Sequence, residues 1–70
     1  MFLQRVEDIL EFKIQSIQNK KVRLMELGVE SVKMVEVAGL IEETYDVPIN
    51  EDRMLALTVQ DIVDFSTRKT

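Results

Sequence analysis

Cysteine, histidine and tryptophan are all absent from the sequence. Without cysteine the chain can form neither a disulfide framework nor a thiolate nucleophile. Without histidine it lacks the side chain that most often serves as a general base or as a metal ligand. We therefore expect no metal site and no catalytic residue.

Long apolar runs and glycine-rich stretches are also missing. No apolar run approaches the roughly 20 residues that are needed to cross a bilayer, and the N-terminus lacks the basic segment and apolar stretch of a secretory signal. The chain has only two glycines, Gly28 and Gly39, and neither lies in a phosphate-binding loop between a strand and a helix. These absences predict a cytoplasmic protein.

The chain has 70 residues, which allows a single domain, residues 1–70. A domain of this size buries only about 60% of the surface of its unfolded chain. It has little room for an enclosed active site in addition to a core. We therefore expect that it is not an enzyme.

The net charge of −4 is unevenly distributed along the chain. From Leu24 to Asp52 there are eight acidic residues and one basic residue, Lys33, a balance of −7; the remainder has five acidic and eight basic residues, a balance of +3. An acidic segment repels nucleic acid and attracts proteins with basic patches. We expect such proteins as partners of a monomer, with no nucleic acid and no membrane among them.

The first helix is predicted over residues 2–17. Apolar residues recur there with the 3.6-residue period that places them on one side of a helix; they are Phe2, Leu3, Val6, Ile9, Leu10, Ile14 and Ile17. The basic residues after Asn19 suit the negative end of the helix dipole. The loop that follows, residues 22–30, contains three apolar side chains that we expect to pack beneath the helices: Val22, Leu24 and Leu27.

Three further helices are predicted over residues 31–45, 51–56 and 59–68. Thr58 and Asp61 have the spacing of a capping box, which favours the start of the last helix. No segment shows a strong strand pattern. The predicted fold is a small all-α four-helix bundle with a short third helix.

The second helix has two different faces. At about 100° per residue, one side collects Met34, Val37, Ala38, Ile41 and Tyr45. The opposite side carries Val32, Glu36, Gly39 and Glu43. We expect the first side to fill the core, with a cleft for a fatty chain as the alternative, and the second side to face solvent.

Ser31 stands where a glycine-containing turn meets this helix. One interpretation is an N-cap, whose hydroxyl accepts a hydrogen bond from a backbone N–H of the first turn. The other is a hydroxyl that is presented to another enzyme for modification.

The residues around Ser31 resemble the attachment site of acyl and peptidyl carrier proteins. Residues 24–32, Leu-Met-Glu-Leu-Gly-Val-Glu-Ser-Val, are similar to the family pattern, in which Leu-Gly is followed by a variable residue and Asp-Ser-Leu. Residues 35–45 resemble the family's second helix, which ends in an acidic pair and an aromatic residue. Thr58-Val59-Gln60 resembles the start of the family's last helix, so the likeness extends over nearly the whole chain.

The resemblance implies a fold of acyl-carrier type and a covalent cofactor. A phosphopantetheinyl transferase would move 4′-phosphopantetheine from coenzyme A onto the Ser31 hydroxyl. The thiol of this arm would carry an acyl or related group as a thioester, and acyl-loading and acyl-processing enzymes would supply the chemistry. The resemblance assigns the docking of these enzymes to Glu30, Val32, Glu36, Gly39 and Glu43.

Four positions depart from the pattern of fatty acid carriers. Glu30 replaces Asp, Val32 replaces Leu, Lys33 is basic where an acid is usual, and Gly39 replaces a larger apolar residue. The departures favour a dedicated pathway, such as polyketide or nonribosomal peptide synthesis, over housekeeping fatty acid synthesis. Two other hypotheses stay open: a helical interaction module in which Ser31 is only a helix cap, and a carrier fold that has lost its modification.

Overall fold

The computed structural model describes residues 1–68 and contains four α-helices and no β-strand in that range. The helices are α1 (Phe2–Leu10), α2 (Ser31–Tyr45), α3 (Glu51–Leu55) and α4 (Val59–Ser66). Two short 3-10 helices, Ile14–Ser16 and Leu24–Leu27, lie between α1 and α2. The predicted all-α bundle with a short third helix is confirmed.

The first helix is shorter than predicted, because α1 ends at Leu10 and not near residue 17. Glu11 adopts a left-handed backbone conformation with a φ of 66°, and its N–H donates to the Glu7 carbonyl. The Glu7 carboxylate then accepts a hydrogen bond from the Ile14 N–H at 2.8 Å. Ile14 still reaches the core, since the first 3-10 helix continues the apolar pattern in a separate element.

The basic residues after Asn19 do not end a helix, and this prediction was also wrong. The Lys20 ammonium instead donates to the carbonyl of Ile14, at 2.9 Å, and to that of Ile17. The attraction between a basic side chain and backbone carbonyls is therefore present, but it acts on the first 3-10 helix.

The loop before α2 is fastened to the start of α4 by backbone hydrogen bonds. The Leu24 N–H donates to the Leu57 carbonyl at 2.9 Å, and the Val59 N–H donates to the Val22 carbonyl at 3.0 Å. Leu24 is buried and Val22 half-buried, as predicted. Leu27 is 36% exposed, so the prediction that it packs beneath the helices was wrong; it ends the second 3-10 helix at the surface, next to the exposed turn that leads into α2.

The core is built on the inner face of α2. Four of its five predicted members are buried: Met34, Val37, Ala38 and Ile41. The fifth, Tyr45, is half-buried and packs edge to face on Phe2, with ring centroids 5.1 Å apart. Leu40 is buried as well, which the sequence analysis missed, because α1 packs along the flank of α2 on which it lies.

The last helix begins as predicted. The Thr58 hydroxyl accepts the Asp61 N–H at 3.1 Å, and the Asp61 carboxylate accepts the Thr58 N–H at 2.9 Å, which completes the capping box. Val59, Ile62 and Phe65 of α4 are buried against the core. In the described residues, the longest exposed helical surface is therefore the outer face of α2, which carries Val32, Glu36, Gly39 and Glu43.

The two glycines should respond to alanine with opposite signs. Gly28 has a φ of 82°, a left-handed conformation that costs an alanine about 1–2 kcal/mol. Gly39 lies inside α2, where an added Cβ would meet no atom within 4 Å, so alanine should stabilise the protein by up to about 1 kcal/mol. We expect urea unfolding to move to lower concentration in Gly28→Ala and to higher concentration in Gly39→Ala. Equal midpoints for the two variants would disagree with these backbone conformations.

Candidate functional site

Ser31 is the first residue of α2 and is exposed. The N-cap is Glu30, whose backbone is extended, with a φ of −68° and a ψ of 151°. The interpretation of Ser31 as an N-cap is therefore wrong, since the capping position is one residue earlier and Ser31 already has the helical conformation. The Ser31 hydroxyl does not cap the helix in the described residues, and it is accessible to another protein.

The turn before Ser31 depends on Gly28, as the sequence predicts. The left-handed conformation of Gly28 lets its N–H donate to the Met25 carbonyl at 3.2 Å. The Val29 N–H donates to the Leu24 carbonyl at 3.4 Å. The chain therefore leaves the second 3-10 helix in a closed turn and enters α2 with Ser31 at the surface.

No side chain of residues 1–68 caps the N-terminus of α2 with a hydrogen bond. Asn50 caps α3 by accepting the Arg53 N–H at 2.8 Å, and Thr58 caps α4, whereas the Glu30 side chain makes no such hydrogen bond. The first N–H groups of a helix lack partners within the helix, and the dipole adds partial positive charge there. The residues at this end of α2 therefore fit a phosphate ester on the Ser31 hydroxyl.

The outer face of α2 is exposed as predicted. Val32 is 69% exposed, Glu36 and Glu43 are exposed, and Gly39 is half-buried beside them. Val35 is 57% exposed as well and lies one helical turn after Val32, although it was not among the predicted members of this face. The helical wheel places Val35 about 60° from Val32, so the exposure of Val35 could have been predicted from the sequence.

Lys33, the one basic residue of the acidic segment, is paired inside the chain. Its ammonium hydrogen-bonds the carboxylate of Glu11, at the turn that ends α1. This hydrogen bond and the positive charge of Lys33 lower the pKa of Glu11, and the same hydrogen bond raises the pKa of Lys33. The pair joins the start of α2 to the end of α1 and leaves the outer face of α2 acidic.

Two acidic residues of the outer face lack a basic partner. In the part of the chain that the structure describes, the ion pairs join Glu7 to Lys13, Arg23 to Glu26, Lys33 to Glu11, and Arg53 to Asp61. Glu36 and Glu43 belong to none of them. Their charges are therefore available to a basic group from outside the chain.

Residues 1–68 also lack a cluster of metal-binding side chains and a membrane-spanning helix. No group of three or more acidic side chains is arranged to hold a metal ion there. Over the same residues, every helix is too short or too polar to span a membrane.

Comparison with known protein families shows which family the chain resembles over most of its length. The family model described as "Phosphopantetheine attachment site" matches residues 2–66. This chain belongs to that family. The carrier is also 34% identical over 65 residues to the acyl carrier protein of Buchnera aphidicola subsp. Schizaphis graminum (strain Sg), a match that covers 91% of this chain and 82% of the relative. No solved structure matches the carrier at a significant level.

The family settles the prosthetic group of the carrier. It is 4′-phosphopantetheine, attached covalently, and the enzyme that installs such a group is a phosphopantetheinyl transferase. When bound, the group supplies a flexible arm that ends in a thiol.

Proposed function

We propose that Ser31 holds the 4′-phosphopantetheine arm and that residues 1–70 form a single carrier domain for acyl groups. The observation that carries this proposal is the exposed serine at the uncapped N-terminus of α2. The printed name of the relative, acyl carrier protein, supports acyl groups as the cargo. The proposed cargo is bound as a thioester to the thiol of the arm.

The loading step requires a base that takes the proton of the Ser31 hydroxyl. The Ser31 oxygen forms a bond to a phosphorus atom of coenzyme A, the bond from that phosphorus to the adenosine-phosphate leaving group breaks, and the hydroxyl proton departs. The chain has no histidine, so we assign the base to the transferase. In this proposal the carrier has no catalytic activity of its own, and α2 stabilises the phosphodiester through its N–H groups and dipole.

The proposal is tested by incubating the protein with coenzyme A and a broad-specificity phosphopantetheinyl transferase. Intact-mass measurement should show the gain of one phosphopantetheinyl group per chain. A folded protein that gains nothing with several transferases would instead favour the interaction module or the carrier fold that has lost its modification.

We further propose that partner enzymes dock through basic patches on an acidic docking face. This face consists of Glu30, Val32, Glu36, Gly39 and Glu43. Each exposed ion pair contributes less than about 1 kcal/mol, so docking is transient and one carrier can visit several enzymes. The arm raises the local concentration of the cargo at each docked enzyme. That the protein is monomeric and cytoplasmic stays a prediction.

Two substitutions on the docking face should slow loading without unfolding the bundle. Val32→Asp places a charge where an apolar contact is expected, and Glu36→Lys reverses a charge that has no partner in the chain. We expect each to lower kcat/KM of the transferase several-fold, since one lost contact of about 1 kcal/mol is worth about a factor of five. Asp64→Lys, at an exposed position of α4, changes the net charge by the same amount as Glu36→Lys; it serves as the control and should load at the wild-type rate. If all three variants load equally fast, the docking face lies elsewhere.

We also propose that the carrier serves a dedicated pathway and not general fatty acid synthesis. The support is in the four departures from the fatty acid carrier pattern, Glu30, Val32, Lys33 and Gly39. Enzymes of fatty acid synthesis should load malonyl groups on the phosphopantetheinylated chain at least about tenfold more slowly than on a fatty acid carrier, a difference of about 1.4 kcal/mol. Equal rates would assign the chain to fatty acid synthesis.

A further inference from the structure

A groove of about 430 Å³ runs between α1 and α2 on the side of the bundle that carries the docking face. It is lined by Arg5, Ile9, Glu36, Gly39, Leu40 and Glu43. Gly39 lies eight residues after Ser31, which is about 12 Å along the helix at 1.5 Å per residue. A protein that reaches Ser31 with a surface of ordinary interface size therefore also covers this groove.

Neither the packing of the bundle nor the backbone conformation requires a glycine at position 39. Gly39 has an ordinary helical backbone, and a Cβ at this position would meet no atom within 4 Å. A glycine inside a helix costs about 1 kcal/mol relative to alanine. The chain thus keeps a residue that weakens α2 and that its own packing does not require, and the result is an opening in the wall of the groove.

The groove combines two apolar residues with three charged ones, Arg5 on α1 and Glu36 and Glu43 on α2. Ile9 and Leu40 supply apolar side chains, and Leu40 is only 6% exposed. Glu36 and Glu43 stand three residues before and four residues after Gly39, about 10 Å apart along α2. Neither carboxylate forms an ion pair in residues 1–68, although Arg5 lines the same groove.

We propose that this groove receives a large apolar side chain of a docking protein, whose basic groups on either side of that side chain pair with Glu36 and Glu43. The inference rests on the proposed carrier function and names the kind of surface that its partners present. A helix with an apolar residue flanked by lysine or arginine at three- or four-residue spacing matches the three positions of α2. Gly39 then acts as a specificity-determining residue, because a long side chain there would fill the space that the partner needs.

The test uses defined helical peptides in place of an unidentified partner. Alanine-rich peptides carry one lysine three residues before and one four residues after a central residue, which is tryptophan in one peptide and alanine in the other. We expect the wild-type chain to bind the tryptophan peptide at least about tenfold more tightly than the alanine peptide, as a buried aromatic anchor does at other interfaces. In Gly39→Met this preference should disappear, while Glu36→Gln should weaken both peptides by the same factor.

Two controls separate this inference from the loading of Ser31. Gly39→Ala adds one carbon atom and should retain most of the preference, and thermal unfolding verifies that both Gly39 variants are folded. Ser31→Ala should keep the preference in full, although it cannot be loaded. No binding of either peptide, no preference in the wild-type chain, or a preference unchanged in Gly39→Met would each overturn the proposed groove contact, whatever the outcome of the loading experiment.

Discussion

Ser31→Ala should stay folded and gain no phosphopantetheine from coenzyme A. The Ser31 side chain is exposed, and its hydroxyl does not cap α2, so its removal should change the free energy of unfolding by less than about 0.5 kcal/mol. The same change removes the only atom that the proposed reaction uses on this chain. Intact-mass measurement after incubation with a transferase should therefore show an unmodified protein, and urea unfolding should show a wild-type midpoint.

Ser16→Ala is the matched control. Ser16 is also exposed and ends the first 3-10 helix, but its hydroxyl donates to the Lys13 carbonyl at 2.6 Å and is far in sequence from the turn at Gly28. This variant should load as the wild-type chain does. Loading of Ser31→Ala, or loss of loading in folded Ser16→Ala, would place the attachment site elsewhere.

Ile41→Ala should lose a large part of the stability of the bundle. Ile41 is fully buried in the middle of α2, and replacing a buried isoleucine by alanine costs about 2–5 kcal/mol. A chain of this length has a total stability of roughly 4–10 kcal/mol, from about 0.05–0.15 kcal/mol per residue. We expect a marked fall of the thermal midpoint and a substantial unfolded population at 37 °C.

Val35→Ala is the control for this substitution. Val35 lies on the same helix but is 57% exposed, so its truncation should change the free energy of unfolding by less than about 0.5 kcal/mol. Circular dichroism during heating compares the two variants with the wild-type chain. A similar small effect for both would mean that α2 does not present its Ile41 side to the core.

Local sequence signals were sufficient for α2 and α4. The apolar period of α2 continues over 15 residues without interruption, so both ends and the main members of both faces could be predicted. The start of α4 is fixed by two side chains three residues apart, Thr58 and Asp61. Helices that are determined by such short-range contacts can be predicted from a single sequence.

The segment between α1 and α2 could not be predicted in the same way. Its apolar residues keep a helical period through Ile17, but α1 stops at Leu10 and Ile14 reaches the core from a separate 3-10 helix. Periodicity reports which residues are buried and does not report whether one continuous helix buries them. The helix ends because Glu11 adopts a left-handed conformation. This conformation is uncommon for residues other than glycine, so the sequence contains no signal for it.

In the candidate site, too, features fixed by neighbouring residues could be predicted, and features fixed by distant contacts could not. The turn at Gly28 and the outer face of α2 followed from neighbouring residues. The pairing of Lys33 with Glu11 did not, because these residues are 22 positions apart and the place of Glu11 depends on where α1 ends. The groove beside Gly39 requires the packing of α1 on α2, which no local pattern contains.

The most direct test is to find where the phosphopantetheinyl group is attached. Trypsin cleaves after Arg23 and Lys33, and the peptide of residues 24–33 contains Ser31 as its one side chain with a hydroxyl group. Mass spectrometry of the digest should find the whole mass increase in this peptide and fragment ions should assign it to Ser31. An increase in any other peptide, with residues 24–33 unmodified, would contradict the assignment of Ser31 as the attachment site.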